Sequence, residues 1–130
     1  MLGASSETQS NPAIAAFDAK PNTFWLSGKG GMFPLYWAID LGSSQTLNGF
    51  AYTPQTRNSK GLIANGIIKV SDDGKSWTEV ECFEFGNIIN DPSKRYHYFK
   101  KTISARYVRV EVTEIAAGDK VASVAEFDLF

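Results

Sequence analysis

The stretch that decides the fold is RYVRVEV, residues 106–112. Because side chains on a β-strand point alternately to opposite faces, its three valines share one face, and Tyr107, Arg109 and Glu111 share the other. A segment with one apolar face and one polar face is typical of a half-buried strand. These residues therefore predict a strand whose valine face lies in a core.

Segments of the same kind recur along the chain between Gly, Asn, Asp and Pro residues, whereas helical periodicity is hard to find. The sequence therefore predicts an all-β fold with the strand spacing of a β-sandwich. Trp37 shares a face with Ile39 and Leu41, and we expect it in the core. The other predicted strands are residues 47–53, 63–71, 77–83, 95–103 and 124–130.

The segment Asp72-Asp73-Gly74-Lys75 predicts a hairpin turn in which Gly74 supplies a positive φ. Trp77 is out of step with Val80 and Cys82 under strict alternation. This indicates either a β-bulge or a tryptophan that wraps around a sandwich edge, and the sequence does not choose between them. Function is expected on the long connections, residues 27–35, 56–62, 84–94 and 113–121.

Composition limits the classes of partner. The 130 residues predict a single domain, residues 1–130, and 13 basic against 14 acidic residues give no broad positive field for nucleic acid or anionic lipid. The apolar runs are too short to cross a membrane, and residues 1–6 lack the pattern of a signal peptide. Cys82 is the one cysteine, so no internal disulfide is expected, and we predict it to be a small buried hydrophobe. We expect a monomer.

Two distant segments predict a cation site. Residues 17–25, FDAKPNTFW, place a carboxylate, an amide, a hydroxyl and a proline in one short loop. Oxygen ligands at this spacing suit Ca²⁺ better than Zn²⁺. Residues 122–127, ASVAEF, add a carboxylate inside an otherwise apolar strand, where a charge needs a partner. In the alternative interpretation Asp18 caps the turn and Glu126 pairs with a base such as Lys20.

These segments and the motifs between them resemble the discoidin or coagulation factor 5/8 type C family, and in particular the family 32 carbohydrate-binding modules of bacterial glycosidases. The resemblance spans nearly the whole chain and implies an antiparallel β-sandwich jelly roll, the galactose-binding-like fold, with about eight main strands. The motifs that carry it are WAIDLG at residues 37–42, YTP at 52–54, VSDDGKSW at 70–77 and ARYVRV at 105–110.

The resemblance implies a structural Ca²⁺ that ties the first loop to the last strand. Asp18 and Glu126 would be its anionic ligands, and Thr23 would give a hydroxyl and a carbonyl. The family's usual Asp-Gly-Asn reads Asp18-Ala19-Lys20 here, so Lys20 can serve only through its carbonyl. The full implied set is Ala15, Asp18, Lys20, Thr23, Ala125 and Glu126.

The resemblance also implies a sugar site on loops at one end of the sandwich, where an aromatic ring covers the apolar face of a sugar and polar groups bond its hydroxyls. Galactose-binding relatives have arginine where this chain has Gln55, and an aromatic residue where it has Val121. In the alternative interpretation Phe33 and Leu35 fold inward and the polar residues only solvate their loops. The candidate sugar residues are Lys29, Phe33, Gln55, Arg57 and Asn58.

The leading hypothesis is a non-catalytic carbohydrate-binding module of a secreted, periplasmic or cell-surface bacterial glycosidase, such as a hexosaminidase, chitobiase or fucosidase. Its partners would be a glycan and the other domains of that enzyme. One alternative is a discoidin-like adhesion or phospholipid-binding domain, with Met32 and Phe33 as apolar spikes beside Lys29. Another is a structural spacer with a decayed sugar site. His97 and Cys82 lack the local signature of a catalytic pair, and no catalysis is predicted.

Overall fold

The computed structural model describes residues 3–4, 25–26, 35–56, 61–86, 88–91, 93–116 and 121–130. Every strand pair in these ranges is antiparallel, and the ranges contain no helix, so the all-β prediction is confirmed for them. A helix of the length and apolarity needed to cross a bilayer is accordingly not found there. The strands are β1 Gly3–Ala4, β2 Trp25–Leu26, β3 Leu35–Thr53, β4 Ile63–Ser71, β5 Thr78–Glu84, β6 Arg95–Ile115, β7 Ser123–Val124 and β8 Glu126–Leu129.

The two long strands β3 and β6 organise the fold. They pair along their length, but register shifts divide each into segments. The described strands form one six-stranded sheet, in the order β1-β3-β6-β4-β5 with β8 beside β3, and a two-stranded sheet of β2 and β7. The register shifts divide the six-stranded sheet into two layers, which we call the first and second sheets. The first contains β1, β4, β5, the first segment of β3 and the last of β6, and the second contains the last segment of β3 between β8 and the first segment of β6.

The two sheets pack face to face through aromatic side chains. The ring of Trp37 in the first sheet lies 5.2 Å from that of Phe127 in the second, and Phe50 in the second sheet lies 5.0 Å from Phe83 of β5. Both ring pairs are edge-on, the favoured arrangement for aromatic quadrupoles. The molecule is therefore a β-sandwich, and the prediction that Trp37 is core is confirmed by its 2% exposure.

The predicted valine face is also confirmed. Val108, Val110 and Val112 are at most 1% exposed, and burial of one such side chain stabilises the fold by roughly 1.5–3 kcal/mol. The predicted strand 95–103 and the stretch 106–112 are parts of one strand, β6, because the chain continues across the register shift. Strand β4 has the predicted bounds.

The hairpin turn between β4 and β5 is held by hydrogen bonds from its backbone to its own side chains. Asp73 Oδ1 accepts hydrogen bonds from the amides of Lys75 and Ser76, and Ser71 Oγ accepts one from Gly74. These backbone donors lower the pKa of Asp73 to about 2. Gly74 has φ 77°, as the hairpin predicted.

Strand β5 contains the bulge that was one of two alternatives. Ile68 pairs with Glu81 and Lys69 pairs with Glu79, so Val80 is the extra residue. The bulge turns Phe83 into the core and Cys82 out to solvent. The prediction that Cys82 is buried is therefore wrong, because alternation was counted without the extra residue.

Asp40 of the WAIDLG motif has a structural role at a bend in β3. Its two carboxylate oxygens accept hydrogen bonds from Arg106 at 2.8 and 3.0 Å, and Oδ1 also accepts one from the amide of Gly42. The Arg106 hydrogen bond, and then that of Gly42, lower the pKa of Asp40 to about 2. Gly42 has φ 83°, a conformation that favours glycine.

Candidate functional site

The candidate site lies at the end of the sandwich where β3 ends, β4 begins and β5 and β6 end. Three backbone hydrogen bonds hold the connections together there: Phe85 N–H to Ala64 O, Ala116 N–H to Leu62 O and Ser123 N–H to Gly61 O, at 2.7 to 2.8 Å. The described ends of three of the connections expected to carry function, residues 56–62, 84–94 and 113–121, therefore meet at one end, whereas residues 27–34 of the fourth lie outside the described residues. We call this region the loop end.

The last strands are fixed to the loop end by a buried tyrosine. Tyr52 Oη donates a hydrogen bond to the carbonyl of Ser123 at 2.9 Å and accepts one from the amide of Ile63 at 3.3 Å. Burial raises the pKa of the Tyr52 phenol, so it stays a neutral donor. Beside it, the amide of Ala125 donates to Thr53 O at 2.9 Å. The backbone around the predicted Ala125-Glu126 ligand pair is thus held in place.

Gly61 lets the connection after β3 approach the last strands. It has φ +76°, and a Cβ at this position would lie 2.7 Å from the amide nitrogen of Ser123. Any larger side chain would push the two segments apart. The contact positions the end of the connection that carries Arg57 and Asn58.

The predicted metal ligands are only partly described. Ala125 is 1% exposed, and Glu126 is half-buried with less than 1 Å² of its Oε1 exposed. Trp25, the last residue of the predicted metal loop, pairs with Val124, which precedes Ala125. Within the described ranges there is no cluster of three or more His, Cys, Asp or Glu residues that could hold a metal ion. Ala15, Asp18, Lys20 and Thr23 lie outside the described residues.

Of the predicted sugar residues, only Gln55 is described. It is 2% exposed, which does not favour a direct bond from its side chain to a ligand, and its role stays a prediction. Val121 is 4% exposed, and Leu35 is wholly buried, as the alternative interpretation predicted for it. Lys29, Phe33, Arg57 and Asn58 lie outside the described residues.

A polar row that the sequence analysis did not single out lies in a groove at the loop end. Asn65 pairs in register with Glu84 on one side and with Glu114 on the other, so the three residues form a row across β5, β4 and β6. The groove has a volume of about 450 Å³, and Ile88 and Ile89 add apolar surface to it. The three polar residues belong to different strands, and only the register brings them together.

The connection beside this groove is held by Arg95. Its guanidinium donates to the carbonyl of Gly86 at 2.8 Å and to that of Asp91 at 2.6 Å. His97 has a structural contact as well, because its Nε2 lies 2.6 Å from Glu81 Oε2, and Glu81 Oε1 accepts a hydrogen bond from the amide of Lys100. His97 is therefore a packing residue that joins β5 to β6, as expected from the strand pattern.

This sandwich, with its connections anchored at one end, belongs to the F5/8 type C domain family, whose sequence profile matches residues 2–127. The predicted family is thereby confirmed.

Known proteins resemble this chain in sequence or in structure. The chain is 26% identical over 121 residues to a sialidase of Micromonospora viridifaciens. The aligned residues make up 90% of this chain but only 18% of the sialidase. The structure of this chain is similar to that of CBM32-3 from a family 31 glycoside hydrolase of Clostridium perfringens. The two are 28% identical with a TM-score of 0.86, and the match covers 98% of this chain and 86% of the other. This chain is also similar to CpGH89CBM32-5 of Clostridium perfringens in complex with GalNAc-β-1,3-galactose, at 26% identity and TM-score 0.85, covering 98% and 91%.

Proposed function

We propose that this chain is a non-catalytic carbohydrate-binding module that holds a secreted glycoside hydrolase close to its glycan. The observation that carries the proposal is the likeness over 98% of the chain to a module bound to a galactose-containing disaccharide. The anchored loop end adds support, because a site formed by loops needs a rigid scaffold to keep its geometry. Sugar contacts of this kind are weak, and attachment to an enzyme increases the local concentration of the sugar.

We further propose that a structural Ca²⁺ joins the first loop to the last strand. The carbonyl of Ala125 and the carboxylate of Glu126 are hard oxygen donors, and the predicted ligands Ala15, Asp18, Lys20 and Thr23 would complete six or more. Support comes from the pairing of Trp25 with Val124, which brings the end of the predicted loop to the residue before Ala125. Bound Ca²⁺ would stabilise the fold and would take no part in chemistry.

The calcium proposal is tested by thermal melting of stripped protein. Calcium at 100 times its Kd should add about 2.7 kcal/mol of stability by linkage, so the midpoint should rise on addition of calcium. Glu126→Gln should remove most of this rise, and Glu114→Gln, at an exposed glutamate, should retain it. An unchanged midpoint of stripped wild-type protein in millimolar calcium would contradict the proposal.

Glycan binding is tested by applying the labelled chain to a glycan array with calcium and with chelator. The proposal expects retention on a small set of related glycans, and loss of retention in an Arg57→Ala/Asn58→Ala variant that melts like the wild type. Pelleting with anionic vesicles in place of glycan binding would instead indicate a phospholipid-binding domain. If neither ligand is bound by folded protein, the glycan proposal fails.

The second candidate function is a structural spacer. It is favoured by the burial of Gln55 and Val121, at the two positions where galactose-binding relatives have an arginine and an aromatic residue. The spacer predicts a folded chain that the array does not retain.

A further inference from the structure

We propose that the outer face of the second sheet carries a second glycan-binding site, in which Tyr96, Tyr98 and Phe130 stack on an uncharged pyranose ring. This surface, which we call the aromatic platform, lies on a strand face and not on the connections of the loop end. The proposal therefore goes beyond the function argued above, and it can hold or fail independently of it.

The aromatic platform is concentrated rather than scattered. Tyr96, Tyr98 and Phe130 are 55%, 67% and 39% exposed, and they are all of the exposed large aromatic side chains among the described residues. Single exposed apolar side chains are common on protein surfaces, but a contiguous group is typical of a binding surface. Here the ring of Phe130 lies 6.4 Å from that of Tyr96 and 5.4 Å from that of Tyr98, so the three rings are one cluster.

The platform is held by the sheet beneath it. Tyr98 and Tyr96 pair in register with Gly49 and Ala51 of β3, and two residues along a strand separate the tyrosines by about 7 Å. The backbones of Phe130 and Gly49 exchange two hydrogen bonds of 3.1 Å. A Cβ on Gly49 would clash with the carbonyl oxygen of His97 and lie 3.0 Å from the ring of Phe130, so the glycine makes room for the neighbouring strand and for the ring. The backbone that carries the rings therefore needs no rearrangement when a ligand stacks on them.

The charges around the platform favour an uncharged ligand. Lys94 Nζ lies 5.4 Å from the ring centre of Tyr96 and 3.8 Å from Asp128 Oδ2. These two side chains are 44% and 56% exposed, so the ion pair is weak and both retain capacity to hydrogen-bond sugar hydroxyls. Their charges cancel, whereas an acidic sugar or an anionic lipid surface would be recognised by an uncompensated positive patch.

Aromatic stacking on the C–H face of a pyranose, with polar side chains at the rim, is the chemistry that these residues offer. Ala51 and Gly49, the partners of Tyr96 and Tyr98, lie two and four residues before Thr53, where β3 ends at the loop end, which are separations of about 7 and 13 Å along the strand. A glycan with several branches could therefore engage both surfaces, and bivalent contact raises retention without tighter individual sites.

The test is an NMR titration that follows the ring resonances of the tyrosines and phenylalanines in the intact chain. Galactose and N-acetylglucosamine are the uncharged probes, and N-acetylneuraminic acid is the charged comparison. We expect saturable shifts of the Tyr96, Tyr98 and Phe130 rings with at least one uncharged probe and weaker shifts with the acid. The shifts should persist in the Arg57→Ala/Asn58→Ala variant, which separates the platform from the loop end.

Two substitutions at one position distinguish stacking from a structural effect. Tyr98→Thr keeps a residue that suits a strand and removes the ring, and it should weaken binding about tenfold, whereas Tyr98→Phe keeps the ring and should retain most of it. Both should melt near the wild type. The proposal is overturned if the platform rings do not shift with any uncharged probe, if Tyr98→Thr binds like wild type, or if the rings shift with protein concentration alone, which would identify a second copy as the occupant.

Discussion

The outer faces of the two sheets both carry aromatic rings, but they use them differently. On the first sheet the guanidinium of Arg109 lies 3.7 Å from the ring centre of Tyr36 and 6.0 Å from that of Trp77. Beside it Glu111 is only 6% exposed, and its two oxygens contact Lys69 at 3.0 Å and Arg109 at 2.8 Å. We call this group the charged lattice.

On the second sheet the aromatic platform is open. Lys94 approaches Tyr96, but the ring stays more than half exposed, and no described cation lies over Tyr98. An aromatic ring on an outer face is therefore not by itself a sign of binding. The cation that covers Tyr36 makes it part of the structure, whereas the exposed rings of the platform remain available to a ligand.

The largest expected effect is at Glu111. Glu111→Ala leaves the half-buried charges of Lys69 and Arg109 without their shared partner, and it should lower the free energy of unfolding by about 3 kcal/mol. Urea denaturation measures this, with Glu114→Ala in the same strand as the exposed control, expected within about 0.5 kcal/mol of wild type. Equal stability of the two variants would contradict the assignment of the charged lattice as structural.

The next effect concerns the stacked pair in the charged lattice. Tyr36→Leu removes the ring beneath Arg109, and a half-buried cation–π contact of this kind should contribute about 1 kcal/mol. A double-mutant cycle with Arg109→Met isolates the coupling between the two side chains from the loss of apolar area. A coupling free energy of zero would show that Tyr36 and Arg109 are close together without stabilising each other.

Acid should weaken the ion pair of Asp40 with Arg106 in the first sheet. The folded pKa of Asp40 is about 2, below its ordinary value of 3.8, so its ion pair with Arg106 stabilises the fold fully above pH 3.8. This contribution is lost as pH falls from about 4 to about 2. Thermal melting across this range should show a shallower loss of stability in Asp40→Asn than in wild type, and an equally steep loss in the two proteins would contradict this role of the ion pair.

The smallest effect on stability is expected on the aromatic platform. Tyr98→Thr should change the free energy of unfolding by no more than about 0.5 kcal/mol, because the side chain is 67% exposed. Urea denaturation would reveal a structural role if this variant lost as much stability as Tyr36→Leu. In that event the contrast between the two faces would disappear.

Local alternation was enough to predict the core face of β6 and the hairpin turn. The valines at 108, 110 and 112 and Gly74 depend on neighbours in sequence, and the structure has them as expected. Cys82 was assigned to the wrong side, because the step between Trp77 and Val80 allowed a bulge but did not identify Val80 as the extra residue that reverses the alternation.

Features that depend on register were not predictable in the same way. Asn65, Glu84 and Glu114 become neighbours only through two strand pairings, and the burial of Glu111 depends on Lys69 and Arg109 together. The exposure of the predicted sugar residues was not predictable for a different reason. The resemblance supplied their positions, but Gln55 is buried here, and a side chain's exposure depends on how the surrounding loops pack.

The measurement that tests glycan binding most directly is an amide NMR titration of the calcium-loaded chain with the glycan that an array retains. The account predicts saturable shifts at the loop end, including the amides of Gly61, Leu62 and residues 121–125, with an affinity of about 1 mM or tighter. Unchanged loop-end amides in folded protein at saturating sugar would contradict the assignment of this end as a carbohydrate-binding site.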